Sequence, residues 1–432
     1  MTAQQETLRI GIAGLGTVGA GTLKILQENA ALLAARGGRA IEVTAVSMRD
    51  AAKKRDVNLA GIRVETDARA IADAPDVDVV VEMIGGDEGI AKELVTAALQ
   101  NGKHVVTANK ALIAKHGYAL SQLAEANQVV LAFEAAVAGG IPIIGALRSG
   151  LSANRLLRIA GILNGTCNYI LTTMEKEKRD FGDVLADAQR LGYAEADPSF
   201  DVDGIDTAHK VAILASLAFG TKPDFSAIHI EGIRRISLAD IDYAASFGYR
   251  IKLLGIATLE DGKLLQRVNP CLVPINSPLG VIDGPFNAVQ VEGDAVGRVV
   301  FEGRGAGGGP TGSAVVADIL AIARGDSFPA FTVKSAALKP ATPAPLDAHQ
   351  GCYYLRLSLK DEPGVLAEFT RAFAAEAISV HSITQRAIAR DHSAQVIVIT
   401  HATNEAAVAR AAERIAQLPI SVAAPVVLRI ES

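Results

Sequence analysis

The sequence predicts an α/β protein in three parts, and three patterns carry that reading. A compact apolar strand at residues 8–13 (LRIGIA) runs into a glycine-rich turn and a helix. Strands then alternate with helices to residue 137, the pattern of a parallel, doubly wound sheet. Residues 138–330 turn to helices mixed with short strands of less regular order, an α+β block. Beyond a Pro/Ala-rich spacer, residues 351–432 read strand–helix–strand–strand–helix–strand, a ferredoxin-like module. The 432 residues suffice for two or three such domains.

Composition narrows the function classes. Half the residues are hydrophobic, with 40 Gly and no Trp, so a densely packed fold is expected. A formal net charge of −5 without a basic block argues against nucleic acid as the main partner. No apolar run approaches the roughly 18 residues needed to span a membrane, and no signal-peptide pattern precedes the first strand. Cys167, Cys271 and Cys352 are widely spaced and odd in number. They fit neither a disulfide framework nor a zinc site, and a reducing cytoplasm is the expected setting.

The first strand leads into Gly14-Leu15-Gly16-Thr17-Val18-Gly19, a G-x-G-x-x-G between strand and helix. In this context the first glycine permits the tight turn, the second lets backbone approach a pyrophosphate, and Gly19 lets helix and strand pack closely. The helix start then offers free N–H donors to the phosphates. The alternative is a glycine turn with no ligand. The second strand ends Ser47-Met48-Arg49-Asp50. An acid there suits the ribose 2′-hydroxyl of NAD(H) and an arginine the 2′-phosphate of NADP(H); Arg49 favours NADP(H), with NAD(H) open.

Further strands are expected at residues 77–84 and 104–108, with a helix at 90–100 between them. The second ends in Thr107-Ala108-Asn109-Lys110. Ligands of open parallel sheets lie beyond the carboxyl ends of strands, which puts Lys110 near cofactor or substrate; the alternative is a surface lysine opening a helix. Residues 129–137 (VVLAFEAAV) read as another buried strand, carrying Glu134. A buried carboxylate needs a partner. Carbonyls of the following glycine turn and a hard cation are one answer, hydrogen bonds to nearby N–H groups the other.

In the middle block, residues 155–163 read as a strand. Asn164, Thr166 and Asn168 then open a helix and present polar groups suited to a small ligand. Residues 191–210 (LGYAEADPSFDVDGIDTAHK) gather Glu195, Asp197, Asp201, Asp203 and Asp206 ahead of a helix that turns apolar after Lys210. Asp206 and Lys210 are four apart and share a helix face. At the start of an apolar helix the pair reads as a pocket wall or as a solvated N-terminal face. A loop at residues 303–313 (GRGAGGGPTGS) precedes a helix to about residue 325 that returns to the first domain; the loop either lies against a ligand or acts as a hinge. Residues 339–345 (KPATPAP) read as a semi-rigid spacer within a linker at 331–350.

Taken in order, GLGTVG, VVTANKAL, FEAAVAGGIPII, GILNGTCNYIL, LGYAEADPSFDVDGIDTAHK and GRGAGGGPTGSAV resemble bacterial homoserine dehydrogenases over residues 8 to about 325. DEPGVLAEF resembles the start of an ACT domain. The resemblance implies NAD(P)-linked interconversion of L-homoserine and L-aspartate 4-semialdehyde in the pathway to threonine, methionine and isoleucine. It implies that Lys210 donates a proton to the aldehyde oxygen, that Asp206 orients it, and that Lys110 lies between nicotinamide and substrate. Glu195 would hold the substrate ammonium, with Arg190, Asp201 and Thr166 also at the substrate. Gly14, Gly16, Thr17, Val18, Gly19, Arg49 and Gly312 would face the cofactor. Glu134 by its carboxylate, and Val137, Gly139 and Ile141 by their carbonyls, match the family's monovalent-cation site, a structural sodium. With no aspartate-kinase segment ahead of the glycine loop, the chain is expected to be monofunctional, and a homodimer or homotetramer is expected. L-Threonine is the expected effector at the ACT domain. A rival reading is a non-catalytic nucleotide sensor, which has no need of Glu195, Asp206 and Lys210 together.

Overall fold

The computed structural model describes residues 6–50, 56–386 and 393–431. The polar leader ahead of Leu8 lies mostly outside them. The first domain contains β1 (Leu8–Ala13), α1 (Thr17–Glu28), α2 (Ala30–Gly37), β2 (Ile41–Ser47), β3 (Arg63–Glu65), α3 (Arg69–Asp73), β4 (Val79–Glu82), α4 (Ile90–Gln100), β5 (His104–Thr107), α5 (Lys110–Ala126) and β6 (Leu131–Ala132). The strands form one sheet in the order β3-β2-β1-β4-β5-β6, all parallel. This is the doubly wound arrangement in which ligands bind at the carboxyl ends of the strands. Period-two patterning sets its two layers. Ile10, Ile12, Val79, Val81 and Val106 pack into one apolar cluster with α1, whereas Val80 and Val105 join Leu94 and Ile113 of α4 and α5.

The strand expected over residues 129–137 is shorter than the apolar run suggested. Only Leu131–Ala132 pair with β5, and Glu134–Ala136 form a 3-10 turn. Glu134 explains the break. Its N–H donates to Asp318 Oδ2 at 2.8 Å, and its carboxylate accepts the N–H groups of Ile144 (2.9 Å) and Gly145 (2.6 Å). A straight strand cannot meet all three partners at once.

The second domain runs through α6 (Ile143–Gly145), β7 (Leu156–Ile162), α7 (Gly165–Glu177), α8 (Phe181–Arg190), α9 (Ser199–Val202), α10 (Ile205–Phe219), β8 (His229–Ile230), α11 (Leu238–Ser246), β9 (Tyr249–Glu260), β10 (Lys263–Pro274), β11 (Phe286–Gly293), β12 (Gly297–Arg304) and α12 (Gly308–Ala323). Strands β9 and β10 are 12 residues each, not the short strands expected. They form one hairpin around Asp261-Gly262, both with positive φ (49° and 76°), as a tight Asp-Gly hairpin turn requires. Helix α12 packs against α1 of the first domain. A Cβ on Gly21 would sit 2.3 Å from the Gly308 carbonyl oxygen, so glycine is what allows this backbone approach.

The C-terminal module follows β13 (Thr342–Pro343) and comprises β14 (Gln350–Lys360), α13 (Val365–Ala375), β15 (Val380–Arg386), β16 (Ser393–Thr400), β17 (Thr403–Asn404), α14 (Glu405–Ala416) and β18 (Ser421–Ile430). It is not a bead on a free tether. The spacer is tied down by β13 against β10 and by Lys222 N–H donating to the Lys339 carbonyl at 2.9 Å. Strand β18 pairs in parallel with β10, which makes one sheet path β12-β11-β7-β9-β10-β18-β14-β16-β15. Ion pairs cross the seam: Arg429, held within the module by Glu405, binds Glu231 of the second domain, and Glu431 binds Arg158 and Arg267. Among the described residues no helix is long and apolar enough to cross a membrane.

Candidate active site

A cleft of about 640 Å³ opens where the strand ends of the first sheet face β7, α7 and α10 of the second domain. On its first wall, the three glycines of the turn after β1 differ in what surrounds them. Gly14 has φ +99° and lies against the Met83 carbonyl, and a Cβ on Gly19 would sit 2.1 Å from the Gly14 carbonyl oxygen. A Cβ on Gly16 would meet nothing within 4 Å. Two glycines are therefore demanded by packing, and the middle one faces open space at the exposed start of α1. That is the cradle a pyrophosphate needs, so the residues fit a dinucleotide. Val18 lines the cleft; Thr17 opens α1 beside it.

The next strand ends bring Glu82 and Lys110. Glu82 is fully buried and accepts from the Thr107 hydroxyl (2.6 Å) and from the N–H groups of Ile84 (2.7 Å) and Gly85 (2.9 Å). It shapes the loop beyond β4. Its signal was an acid closing the valine run VVVE, and sequence reasoning passed over it. Asn109 caps α5 by accepting from Leu112 N–H at 3.1 Å, which places Lys110 on the first turn with its side chain directed at the cleft.

Asp206 forms the floor. It is 4% exposed, in the first turn of α10. Its Oδ2 accepts from Lys210 Nζ at 2.7 Å and Asn164 Nδ2 at 2.8 Å, and its Oδ1 lies 3.1 Å from Lys110 Nζ. Burial would push this carboxyl up, but Lys210 and Lys110 more than reverse it and hold it well below the ordinary carboxylate range. Lys210 also donates to the Leu163 carbonyl at 2.7 Å. With two of its three N–H groups engaged, the ammonium keeps one for the cleft. Asn164 Nδ2 donates at 2.7 Å to Asp201, whose carboxyl is pushed upward by burial and by the neighbouring Asp206. Asn287, buried on β11, donates to the same Leu163 carbonyl at 3.0 Å; a single Asn in an alternating strand gave no sequence signal.

The remaining candidates divide. Glu195 and Thr166 line the cleft, and Thr166 donates to the Tyr193 carbonyl at 2.7 Å while the Tyr193 ring packs on Tyr169 at 4.7 Å. Arg190 stands apart from the cleft lining: it is exposed at the end of α8 and pairs with Asp187, three residues back, at 3.0 Å. Arg49 is exposed beyond the end of β2. Gly312 is buried against the backbone of Gly21 and Thr22, so close helix packing accounts for that glycine, while Thr311 and Gly307 line the cleft.

Glu134 is buried and pushed upward by that burial, which the two backbone N–H groups and Arg148 partly offset. Asp318, beside it, is pushed up to about 7 by burial and by Glu134. Two carboxyls thus face one guanidinium. This negative excess, together with a turn that reverses at Ala138 (φ 56°) and Gly139 (φ 53°), fits a small cation held by oxygen donors. Val137 and Ile141 are buried in the same turn.

Comparison with known proteins follows the same three-part division. The family model for the NAD-binding domain of homoserine dehydrogenase matches residues 14–134, that for homoserine dehydrogenase matches 142–320, and that for the ACT domain matches 353–420. The homoserine dehydrogenase of Neisseria gonorrhoeae is 46% identical over 407 residues, 93% of each chain. A crystal structure of the enzyme from Thiobacillus denitrificans superposes with a TM-score of 0.93 at 43% identity, covering 99% of both chains. A hyperthermophilic archaeal homoserine dehydrogenase in complex with NADPH matches at 28% identity and TM-score 0.62, over 73% of this chain and 97% of its own.

Proposed function

The chain belongs to the homoserine dehydrogenase family, NAD(P)-linked oxidoreductases, and from that premise we propose a mechanism, a cofactor preference and a regulator. The reaction is interconversion of L-homoserine and L-aspartate 4-semialdehyde in the route to threonine, methionine and isoleucine. One observation supports the mechanism above others: a single buried carboxylate, Asp206, shared by Lys210 and Lys110 at the floor of the cleft.

Bound nicotinamide supplies or accepts the hydride at the substrate's C4. In reduction the aldehyde oxygen gains charge as the hydride arrives, and Lys210 donates the proton with the N–H not held by Asp206 or Leu163. Asp206 fixes the direction of that ammonium and stays ionised throughout. Lys110 adds a second positive charge on the nucleotide-domain side. Glu195 and Asp201 offer negative charge to the substrate ammonium, and Thr166 a hydroxyl. We take NADP(H) as the preferred cofactor on the strength of Arg49, with NAD(H) also used. The sodium site is Glu134 with the carbonyls of Val137, Gly139 and Ile141, remote in sequence from the proton donor and structural.

The ACT module supports feedback by L-threonine. A small cavity of about 190 Å³ lies at the β14–α13 turn, where Gly364 takes φ +94°, between Asp361, Val365 and Gln385. Among the described residues strand β15 is a sheet edge, which suits pairing of modules in a homodimer or homotetramer. The buried free cysteines Cys167 and Cys271 agree with a cytoplasmic setting.

The test is steady-state NADPH oxidation with L-aspartate 4-semialdehyde by the wild type and Lys210→Ala, with and without millimolar L-threonine. Turnover by the wild type and a loss of ~100-fold or more in kcat for the variant are expected. An unaffected variant would move the proton donor elsewhere, and activity flat across threonine would remove the regulator.

A further inference from the structure

Beside the cleft, on the far side of Lys110, lies a second cavity of about 520 Å³ that the mechanism leaves unused. One of its walls is a layered stack. His209, between Asp206 and Lys210 in sequence, has its ring face to face with Phe225 (centroids 4.4 Å apart, planes at 16°) and with Phe200 (5.6 Å, 26°). Each phenyl ring also carries a lysine of the first domain: Lys110 Nζ lies 5.4 Å from the Phe200 centroid, and Lys115 Nζ lies 6.0 Å from that of Phe225. The contacts therefore run across the domain boundary from Lys110 through Phe200, His209 and Phe225 to Lys115.

Each layer has a physical reason. Ammonium groups are attracted to the negative face of a phenyl ring within about 6 Å of its centre. The imidazole between the rings must stay neutral, since a third charge there would oppose both lysines. His209 is 4% exposed, with neither ring nitrogen hydrogen-bonded to a described residue, and burial with Lys115 and Lys110 holds it at about 4, so it is neutral in the physiological range. Lys115 is itself fixed by an ion pair with Asp87.

We propose that Phe200, backed by His209 and Phe225, is a positioning residue that holds Lys110 against Asp206 and docks α5 of the nucleotide domain onto α10 of the catalytic domain. The proposal rests on the reading above that Lys110 takes part in the reaction. Lys110 has two anchors at right functions: the Asp206 carboxylate fixes its charge, and the Phe200 face limits where its flexible stem can swing. Because Phe200 rides on α9, next to Asp201 and five residues beyond Glu195, the same contact ties the substrate-side segment to the cofactor-side lysine.

The experiment compares Phe200→Leu, Phe200→Tyr and Lys110→Met in the full chain, measuring kcat and KM for both substrates and the primary isotope effect with NADPH deuterated at the transferred position. Phe200 is 44% exposed, so leucine fills its place without opening the core, and an unchanged Tm checks the fold. Phe200→Leu is expected to lower kcat about tenfold with KM for NADPH near the wild-type value, and to raise the isotope effect as hydride transfer becomes slower than product release. Phe200→Tyr, which keeps the ring face, is expected to restore kcat to within about twofold. Loss of kcat in Lys110→Met with wild-type kinetics in Phe200→Leu would overturn the positioning role while leaving the mechanism in place. Wild-type kcat in Lys110→Met would overturn the reading of Lys110 and the proposal with it.

Discussion

Lys110 Nζ lies 3.1 Å from Asp206 Oδ1, and this contact joins the NAD-binding domain to the second domain. Lys110 opens α5 of the parallel-sheet domain, and Asp206 sits in the first turn of α10. A carboxylate near a helix N-terminus is favoured by the helix dipole, so α10 helps keep the charge that both lysines use. The arrangement ties Lys210 and Lys110, the proton donor and cofactor-side cation of the proposed mechanism, to one carboxylate.

Asp206→Asn removes that carboxylate while keeping the shape. The two ammoniums then lose their shared counter-charge in a buried floor, and Lys210 loses the acceptor that aims it. We expect kcat to fall ~100-fold or more, and unfolding in urea to show a loss of about 3 kcal/mol from the broken buried pair. A variant with near-wild-type kcat would assign the orienting role to the Leu163 carbonyl alone.

Much of this fold was legible because local pattern and tertiary demand agree. The glycine turn after LRIGIA, the strand–helix alternation and the βαββαβ end are written as period, spacing and turn chemistry. The same holds for Asp206 and Lys210, whose four-residue spacing on an apolar helix puts them on one face. What the sequence hid depends on partners far away in the chain. The strand at 129–137 breaks because Glu134 answers to Asp318, 184 residues on. Asn287 matters only because β11 carries it to the Leu163 carbonyl. Gly312 also serves helix packing, and the approach of α12 to α1 that makes it do so appears in no local pattern. The hairpin turn between β9 and β10 was readable from Asp261-Gly262, though the length of the two strands was not.

His209 makes stability depend on pH in a definite direction. Its folded value is about 4 against the ordinary 6.5, because burial and then Lys115 and Lys110 disfavour its charged form, against the opposing pull of Asp206 and Asp87. The unfolded chain therefore binds a proton as pH falls below 6.5 while the folded chain does not until about 4. The contribution is intact above 6.5 and lost progressively down to 4, amounting to about 2 kcal/mol at pH 5. Denaturant unfolding at pH 7 and pH 5 should show that His209→Phe, which keeps the stack without a titrating ring, loses less stability between the two than the wild type. Equal losses would mean that His209 protonates in the folded chain near its ordinary value.

The cation at Glu134 is tested by exchange rather than by activity. If oxygen donors around Glu134 hold sodium, the ion stabilises the folded chain by mass action. Replacing sodium by choline at constant ionic strength is expected to lower Tm by about 3 °C or more. Glu134→Gln should start lower and show no further response. A wild type indifferent to the exchange would leave the carboxylate satisfied by Ile144 and Gly145 alone.

Gly16 and Gly19 give a contrast that separates packing from binding within one turn. A methyl group at Gly19 would sit 2.1 Å from the Gly14 carbonyl oxygen, so Gly19→Ala must shift backbone and is expected to cost about 1–3 kcal/mol. At Gly16 the same methyl meets nothing within 4 Å, and φ is −79°, a conformation alanine adopts freely. Gly16→Ala should therefore leave stability within about 0.5 kcal/mol of wild type. Its methyl nevertheless projects into the space before the α1 N–H donors, where a pyrophosphate must approach backbone to within hydrogen-bond distance. KM for NADPH is expected to rise about tenfold or more, a loss of about 1.4 kcal/mol in binding, with KM for the semialdehyde much less affected. An unchanged KM for NADPH in a stable Gly16→Ala protein would mean that the cofactor's phosphates lie off the α1 axis.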